Sequence, residues 1–425
     1  MRLCLLGLLC SLASAQNSPA GIWSSNLKDF DSDYFTRLQL KLSGTTLTGT
    51  LGEFAFEGTF ENGHIEGKVQ PGRRTTILLT GTLFADRIEG TGTIVGEKLV
   101  YKWEATRETV KKSPRTHTFE PARFQHFFSD AIEPVLRISP GDTVKTWSVD
   151  AGGADQHGIR LTSGGNPLTG PFYIEGAVPG DTLVVHFNRI RLNRDTAISS
   201  AGIDDRALTP AYIEQRKGVQ DYNSDWKLDR EAGYASLAKP TDAMKDYKVP
   251  LVPMLGCVGV APAGGMRQRS AFLGSYGGNL DYNQLREGVT LYLPVYVPGA
   301  LLFVGDGHAA QGAGELTGNA LETSMDIEFT ADIQSGGAPD FPRLEAGEFI
   351  MASGIGDSID GAFRAATTNM VRWLEQMYGL NAAEISSVLG TSMVYDIAEV
   401  VDPSPHVVAK VPKSALAGLK KAPRP

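Results

Sequence analysis

The chain has 425 residues, a length that favours two or three domains over one small core. Hydrophobic residues make up 42% and charged residues 21%, which is typical of a globular protein. The formal net charge of −8 argues against nucleic acid or an anionic membrane as the main partner, because both attract clustered Lys and Arg.

The first residues, "MRLCLLGLLCSLASAQ", have the pattern of a signal peptide. Arg2 precedes an apolar stretch that is too short to anchor in a bilayer, and Ala13-Ser14-Ala15 is an A-x-A cleavage pattern. We therefore predict a signal peptide over 1–15 and export to the periplasm or beyond; the alternative is a buried first strand or helix. Cleavage leaves Cys257 as the single cysteine, so no internal disulfide is expected. No later segment is long and apolar enough to span a membrane.

Residues 16–108 alternate apolar and polar side chains between turns such as Asn62-Gly63. Short, Thr-rich strands at this spacing predict a small antiparallel β barrel or sandwich, which we interpret as an accessory domain. The polar, basic segment 109–118 is predicted to be a linker. The main domain is predicted over 119–413, and the Lys- and Pro-rich residues 414–425 form a flexible tail.

Two helices are predicted near the C-terminus of the main domain. The first is predicted to start at Asp357 or Ser358. Its apolar residues recur at three- and four-residue spacing and form one stripe: Ile359, Phe363, Ala366, Met370, Leu374, Met377. In the second, Asn381 and Glu384 form a capping-box pattern and Gly390 is predicted to end the helix. The remaining pattern is that of strands, so the predicted class is mainly β, α+β overall.

The stretch "FVGDGHAAQGAGELTGNALE" (303–322) contains the main candidate site. Asp306 and His308 lie two residues apart, a spacing that directs both side chains to one side of an extended strand. Glu315 follows after Gly312 and Gly314, where the chain can fold back. A carboxylate, an imidazole and a second carboxylate are ligand types that a metal site requires.

A second stretch, "SVDAGGADQHG", has a similar character. Asp150, Asp155 and His157 surround two glycines after an apolar strand. The alternative interpretation is a polar surface loop. Further on, Asn279 and Asp281 lie in a glycine-rich turn that is either a substrate loop or ordinary turn chemistry. The sequence has no phosphate-binding P-loop, no dinucleotide fingerprint after a strand and no Gly-x-Ser-x-Gly motif.

Four stretches, in order, resemble the acetamidase/formamidase family over roughly residues 119–413. They are "NPLTGPFYIEGAVPGDTL" (166–183), "LGCVGVAPAGG" (255–265), "GGNLDYNQLREG" (277–288) and "PVYVPGALLFVGDGHAAQGAGELTGNALETSMDI" (294–327). The resemblance implies a β-rich fold that oligomerises, hydrolysis of a short aliphatic amide and a divalent metal, zinc, at the Asp306 motif. Family members often carry an acid where this chain has Ala313. We therefore expect Glu315, rather than position 313, to supply the carboxylate.

From these observations we expect a metallo-amidase. Asp306, His308 and a group from the second stretch, Asp150 or His157, are the expected metal ligands. Glu315 is the expected general base, and His308 is also placed in the catalytic machinery.

The expected substrate contacts are in two glycine-rich segments. Backbone N–H groups near Gly312 or Gly278 are expected to stabilise the oxyanion, and Asn279 and Asp281 to contact the substrate. Two other functions compete: a non-catalytic exported binding protein with a structural cation, and an amidase that uses Cys257 as its nucleophile.

Overall fold

The computed structural model describes residues 18–30, 32–72, 74–108, 113–200, 202–216 and 223–422. Strands predominate and the long helices lie near the C-terminus, which confirms the mainly β class. The chain forms two compact units, Met1–Lys112 with Val178–Gly180, and Ser113–Ala177 with Asp181–Pro425. The predicted signal peptide, residues 109–112 of the predicted linker and the last three residues of the predicted tail lie outside the described residues.

The N-terminal unit is a closed antiparallel barrel of eight strands. The strands are β1 (Gly21–Asp29), β2 (Ser32–Ser43), β3 (Thr46–Leu51), β4 (Phe54–Glu61), β5 (His64–Val69), β6 (Ile77–Phe84), β7 (Arg87–Ile94) and β8 (Val100–Arg107). Each strand pairs with the next, and β8 returns to β1 with Trp23 opposite Arg107. The antiparallel barrel expected from the sequence is confirmed.

The barrel forms because its strands alternate inward apolar and outward polar residues. Trp23, Phe56 and Trp103 are almost fully buried in its interior, as closure without a free edge allows. Glycines permit close approach of the strands: a Cβ on Gly90 would lie 1.8 Å from the carbonyl oxygen of Thr80.

The larger unit contains the remaining strands and four helices. Its strands are β9 (Thr116–Thr118), β10 (Phe127–Phe128), β11 (Leu136–Ile138), β12 (Thr143–Ser148), β13 (Leu168–Ile174), β14 (Thr182–Leu192), β15 (Thr196–Ser200), β16 (Asn223–Asp229), β17 (Tyr234–Leu237), β18 (Lys248–Pro250), β19 (Met254–Val260), β20 (Gln268–Arg269), β21 (Leu273–Gly274), β22 (Gly277–Asn279), β23 (Thr290–Pro294), β24 (Leu302–His308), β25 (Met325–Gln334), β26 (Arg343–Glu345), β27 (Phe349–Ile355), β28 (Val394–Glu399) and β29 (His406–Pro412). The helices are α1 (Pro210–Gln215), α2 (Ile359–Tyr378), α3 (Ala382–Ser392) and α4 (Lys413–Leu416), with 3₁₀ turns at Asp205–Ala207 and Asp242–Met244.

Two large sheets form the core of this unit. One has six strands in the order β11-β13-β24-β19-β22-β21, and the other has nine in the order β28-β29-β27-β26-β23-β14-β25-β12-β9. Phe172 of the first sheet meets Phe329 of the second edge to face, with ring centroids 5.2 Å apart. Both rings belong to one buried apolar cluster, so the two sheets pack as layers around a common core. A four-stranded sheet, β15-β16-β17-β18, and the β10–β20 pair complete the unit.

Helix α2 covers the nine-stranded sheet; Ala366, Met370 and Leu374 of the predicted stripe are fully buried, but the first two residues of the stripe are not. Ile359 and Phe363 are 48% and 43% exposed, whereas Ala362 and Ala366 are fully buried. A Cβ on Gly354 of β27 would lie 2.1 Å from the carbonyl oxygen of Ala362. Opposite Gly354 the helix therefore rests on the sheet through small residues, whereas the large side chains of Met370, Trp373 and Leu374 are buried further along it.

Most of the predicted helix caps are present in the structure. Ser358 accepts a hydrogen bond from the Gly361 N–H at 3.1 Å, and the Asn381–Glu384 capping box is present. The prediction that Gly390 ends α3 is wrong: the helix continues to Ser392, because a glycine inside a helix weakens it without stopping it. No described helix is long and apolar enough to span a membrane.

Candidate functional site

Strand β24 directs Asp306 and His308 into a buried space at its C-terminal end. Every residue of this strand is buried, between β13 on one side and β19 on the other. The His308 Nε2 atom lies 3.6 Å from Asp306 Oδ1. The two side chains therefore lie together, in surroundings from which water is largely excluded.

Three more carboxylates converge on His308. Glu322 pairs with His308 in an isolated β-bridge, and its Oε2 atom lies 3.2 Å from His308 Nε2. Asp281 and Glu315 approach the same imidazole from other loops. Two groups of candidate ligands result, Asp306–His308–Glu322 and Asp281–His308–Glu315, and within each group the ligand atoms lie within 4.8 Å of one another.

The backbone at this site adopts conformations that side chains rarely tolerate. Asp281, Asp306 and Glu315 have φ values of 39°, 60° and 43°, in the left-handed region. Such conformations cost about 1–3 kcal/mol each and occur where a structure orients a functional group. The three carboxylates are thus presented at the expense of backbone stability.

Gly256 provides the room in which these side chains meet. A Cβ at this position would lie 2.5 Å from Asp281 Oδ1, 2.6 Å from Asp306 Oδ2 and 3.0 Å from His308 Cε1. Real Cβ atoms do not approach other atoms so closely. The absence of a side chain on β19 is therefore a requirement of the site.

Gln311 determines which nitrogen of His308 is available to a ligand. Its Nε2 donates to the carbonyl oxygen of Asp281, so its Oε1 faces His308 Nδ1 at 2.8 Å. Nδ1 must then carry the proton and donate, which leaves the lone pair of Nε2 directed at the carboxylates. This is the arrangement by which proteins orient a histidine that binds a metal.

Four buried acceptor atoms at the site have no hydrogen-bond partner among the described residues: Asp281 Oδ1, Asp306 Oδ1, His308 Nε2 and Glu322 Oε2. Buried acceptors that converge without a donor are costly unless a proton or a cation lies between them. Carboxylates and a neutral imidazole are ligands for Zn²⁺ and related divalent ions. The residues present therefore fit a metal ion.

The electrostatics of the cluster agree with this donor set. Burial is the largest cause that raises the pKa of Asp281, Glu315 and Glu322 above the ordinary carboxyl range. Burial alone would lower the pKa of His308, but the carboxylates of Glu322 and Asp306 outweigh it and raise that pKa well above its usual value. A raised pKa means that the group holds its proton more tightly, so the carboxyl groups and the imidazole alike favour added positive charge.

A layer of polar contacts supports the carboxylates. Asn166 Nδ2 donates to Asp306 Oδ2 at 3.0 Å and to Asn279 Oδ1 at 2.9 Å. Asn279 Nδ2 in turn donates to Asp281 and, at 2.7 Å, to Asp402 Oδ2. Burial raises the pKa of Asp402 to about 6, although its bond from Asn279 opposes this. Asp402 thus adds a further carboxyl group beside the cluster.

Cys257 lies beneath this layer as a protonated thiol. Its Sγ atom is fully buried and donates to Asn279 Oδ1 at 2.6 Å. Burial, followed by the charges of Asp306 and Asp281, raises the pKa of the thiol well above its ordinary value. Asp306 Oδ2 also lies 3.5 Å from the Sγ atom, but its charge opposes formation of a thiolate, so the surroundings do not favour a nucleophile.

The second stretch of the sequence is placed outside both groups. Asp150 Oδ2 pairs with Arg194 at 2.7 Å, and its Oδ1 accepts the Ala154 N–H at 2.8 Å. His157 is exposed, and its backbone N–H donates to Asp155. Because Asp150 is paired with Arg194, and because neither Asp150 nor His157 belongs to the two groups of candidate ligands, we do not assign either as a metal ligand.

The glycines expected near an oxyanion take different positions. Gly278 is buried in β22, where a Cβ would lie 2.2 Å from the carbonyl oxygen of Phe272. Gly312 is exposed, at the start of the turn that ends at Glu315. Asn279 and Asp281 both belong to the site, as a supporting amide and a candidate ligand respectively.

Sequence reasoning missed the roles of Glu322, Asp402 and Gly256. Glu322 lies in the same glycine-rich stretch as Asp306, so the composition of that stretch could have indicated it as a site residue. Asp402 and Gly256 have no such signal, since each acts only through partners that are distant in sequence.

The comparisons with known proteins agree with this geometry. Residues 274–416 match the Acetamidase/Formamidase family. The matched region contains all five residues of the two ligand groups. Over this region the chain is similar to the acetamidase/formamidase family. The resemblance predicted from the four sequence stretches is thereby confirmed, and the eight-stranded barrel precedes the family domain.

Individual relatives are distant. The formamidase of Methylophilus methylotrophus is 24% identical over 330 residues, which cover 61% of this chain and 81% of that protein. The acetamidase of Mycolicibacterium smegmatis is 25% identical over 297 residues, covering 53% and 73%. Among solved structures, an acetamidase from Yersinia enterocolitica has a TM-score of 0.62 at 26% identity and covers 72% of this chain and 94% of that one. An acetamidase from Bacillus halodurans, with a TM-score of 0.61 at 24% identity, shares the fold.

Proposed function

We propose that this protein hydrolyses a short aliphatic amide, such as formamide or acetamide, to a carboxylate and ammonia. The observation that carries the proposal is the set of buried acceptors around His308 that lack a hydrogen-bond partner among the described residues, in a region that matches this family. We assign Asp306, His308 and Glu322 as the residues that hold a divalent metal, zinc, because three of those acceptors point at one another across 3.2 and 3.6 Å. The relatives named formamidase and acetamidase support the substrate class.

Each part of the reaction has a candidate group. A divalent ion bound here would polarise the amide carbonyl and make a water molecule more acidic. Glu315 takes a proton from the attacking water and passes it to the nitrogen as the C–N bond breaks, so ammonia leaves as a neutral molecule. Burial raises the pKa of Glu315 above the ordinary carboxyl range, which favours a group that both accepts and returns a proton.

Apolar residues beside the site support a small aliphatic substrate. Ile198 forms a β-bridge with Glu322, and Leu316 directly follows Glu315. Both side chains are 44% exposed. We propose that an alkyl group of the substrate packs against one or both of them.

The test is a Glu315→Gln substitution. We expect ammonia release from formamide and acetamide to fall at least about 100-fold, because the amide cannot accept the proton, while bound metal is retained. Glu375→Gln, an exposed glutamate on α2, is the matched control and should keep full activity. Substantial turnover by Glu315→Gln would show that another group is the base.

The competing functions give different results. A binding protein with a structural cation would bind metal and release no ammonia from any amide. A Cys257-dependent amidase would be inactivated by iodoacetamide and unaffected by chelation, whereas the buried thiol described above should resist alkylation.

We also propose that the protein is exported and forms an oligomer. The signal-peptide pattern of residues 1–15 supports export. The mature N-terminus, measured by mass spectrometry, is then expected at Gln16. Light scattering on the purified chain tests the oligomer, and a monomeric mass would refute it.

A further inference from the structure

A second cleft, of about 260 Å³, lies in the larger unit where α2 crosses the nine-stranded sheet. Tyr292, Arg343, Glu345, Trp373, Gln376 and Lys421 are among its lining residues. None of these residues belongs to the cluster around His308. We call it the Arg343 cleft, after the residue that distinguishes it.

Arg343 is a buried cation without a counter-charge. It is only 4% exposed. Its Nε donates to Asn369 Oδ1 at 2.8 Å, its Nη2 to the Asn369 carbonyl oxygen at 3.3 Å, and its Nη1 to Gln376 Oε1 at 2.5 Å. All three acceptors are neutral, and no described carboxylate lies within ion-pair distance of the guanidinium.

The acidic groups nearby are already balanced by other cations. Glu345 also lines the cleft, but it pairs with Lys413 at 2.7 Å and accepts a hydrogen bond from the Tyr292 hydroxyl at 3.1 Å. Asp340 pairs with Arg372. The cleft therefore has an excess of positive charge.

A buried charge without a partner is expensive. Burial lowers the pKa of Arg343 to about 10, so the guanidinium stays charged at neutral pH. Its planar group of donors matches the two oxygens of a carboxylate, and a bond of this kind is stronger than one to a neutral acceptor. An anion that enters the cleft would thus bind a guanidinium that is already desolvated by the fold.

Two aromatic residues also line the cleft. The Tyr292 and Trp373 rings meet edge to face with centroids 5.8 Å apart, and Arg343 Cζ lies 5.4 Å from the Trp373 centroid. Lys421 adds a second cation at the exposed rim. The volume equals that of roughly eight or nine water molecules at about 30 Å³ each, which limits the ligand to a small molecule.

We propose that the Arg343 cleft binds a small organic anion, a carboxylate attached to a planar or apolar group. The carboxylate lies against Arg343 and Lys421, and the apolar part lies against Tyr292 and Trp373. This site is separate from the proposed amidase site and does not depend on its activity.

The experiment is calorimetric titration of the full chain with sodium benzoate, with benzyl alcohol as the neutral probe. Benzoate is expected to bind, and benzyl alcohol to bind at least about tenfold more weakly. Equal binding of the two probes, or no binding of benzoate, would overturn the proposal.

Gln376→Glu is the decisive variant, because it supplies Arg343 with a carboxylate from the chain itself. It should weaken benzoate binding at least about tenfold and raise the melting temperature. Gln215→Glu, which adds the same charge on exposed helix α1, should change neither. Lys421→Gln, at the exposed rim, should weaken binding about threefold without affecting folding. Benzoate binding that survives Gln376→Glu would place the anion elsewhere, for example at a metal, and refute the assignment.

Discussion

At the scale of single residues, the site depends as much on a missing side chain as on the charged ones. Gly256 leaves the space in which Asp281, Asp306 and His308 meet. The nearest atoms to an added Cβ belong to these three side chains, which cannot move apart without disturbing the site.

We therefore expect Gly256→Ala to abolish stoichiometric metal binding and to lower amide hydrolysis at least about 100-fold. Metal content by mass spectrometry and ammonia release measure the two effects. Gly347→Ala is the control, because nothing lies within 4 Å of a Cβ at that position. A Gly256→Ala protein with full metal content and activity would contradict the geometry described for the site.

His406 gives a prediction about pH and stability. The residue is fully buried, its Nδ1 donates to the Leu280 carbonyl oxygen at 2.7 Å, and its Nε2 has no partner among the described residues. Burial lowers its pKa to about 4. The folded protein thus holds neutral histidine, while the unfolded chain takes up a proton below about pH 6.5.

The contribution of His406 to stability should accordingly be lost as pH falls from about 6.5 to 4, by about 3 kcal/mol. His406→Gln keeps a donor toward Leu280 and cannot titrate. Urea unfolding at pH 7.5 and pH 4 should show the wild type losing about 3 kcal/mol more unfolding free energy than the variant. Equal losses would mean that His406 is protonated in the folded state.

Asp306, His308 and Glu315 could be selected from sequence because glycines and charges follow an apolar strand. The same criterion selected Asp150, which the structure pairs with Arg194, a residue 44 positions further along the chain. Composition identifies polar groups at the end of a strand, but it does not show whether the fold neutralises them. That depends on long-range contacts.

At the scale of elements, α2 shows what periodicity can and cannot predict. Its position, its Ser358 cap and most of its buried face follow from the sequence, whereas the exposure of Ile359 and Phe363 does not. The spacing favours Ile359 and Phe363 as core residues, but the close approach permitted by Gly354 favours alanines. Which residues are buried at this end of the helix depends on strand β27, against which the helix packs.

Gly354→Ala tests this packing. The added methyl group would lie 2.1 Å from backbone atoms of α2, so the helix must shift, at a cost of about 1–3 kcal/mol. Gly390→Ala in α3 is the opposite case, since nothing lies within 4 Å, and it should stabilise by up to about 1 kcal/mol. Thermal unfolding of both variants is the measurement. A neutral Gly354→Ala would show that α2 is packed less closely than described.

At the scale of the whole molecule, the two units differ in how far the sequence predicts them. Each barrel strand pairs with its neighbour in the chain, so local alternation and turns are enough to indicate the architecture. In the larger unit, β14 pairs with β25 across more than a hundred residues. Such pairings leave no local signal in the sequence. For the larger unit, the β-rich fold was therefore expected from the family resemblance rather than from the local pattern.

Every candidate site residue lies in the larger unit, between Asn166 and Asp402. We expect a chain that starts at Ser113 to hydrolyse amides with a kcat within about threefold of the full chain. Ammonia release by the two chains is the comparison, with circular dichroism as the check on folding. A folded but inactive shorter chain would mean that the barrel takes part in the reaction.

The central claim is that the buried acceptors around His308 hold a metal ion needed for amide hydrolysis. Its most direct test is ammonia release from formamide, acetamide and propionamide by residues 16–425, with metal content measured before chelation, after it and after Zn²⁺ is returned. Ammonia release is expected to disappear with the metal and to return with it. Undiminished release from protein verified to be metal-free would contradict it.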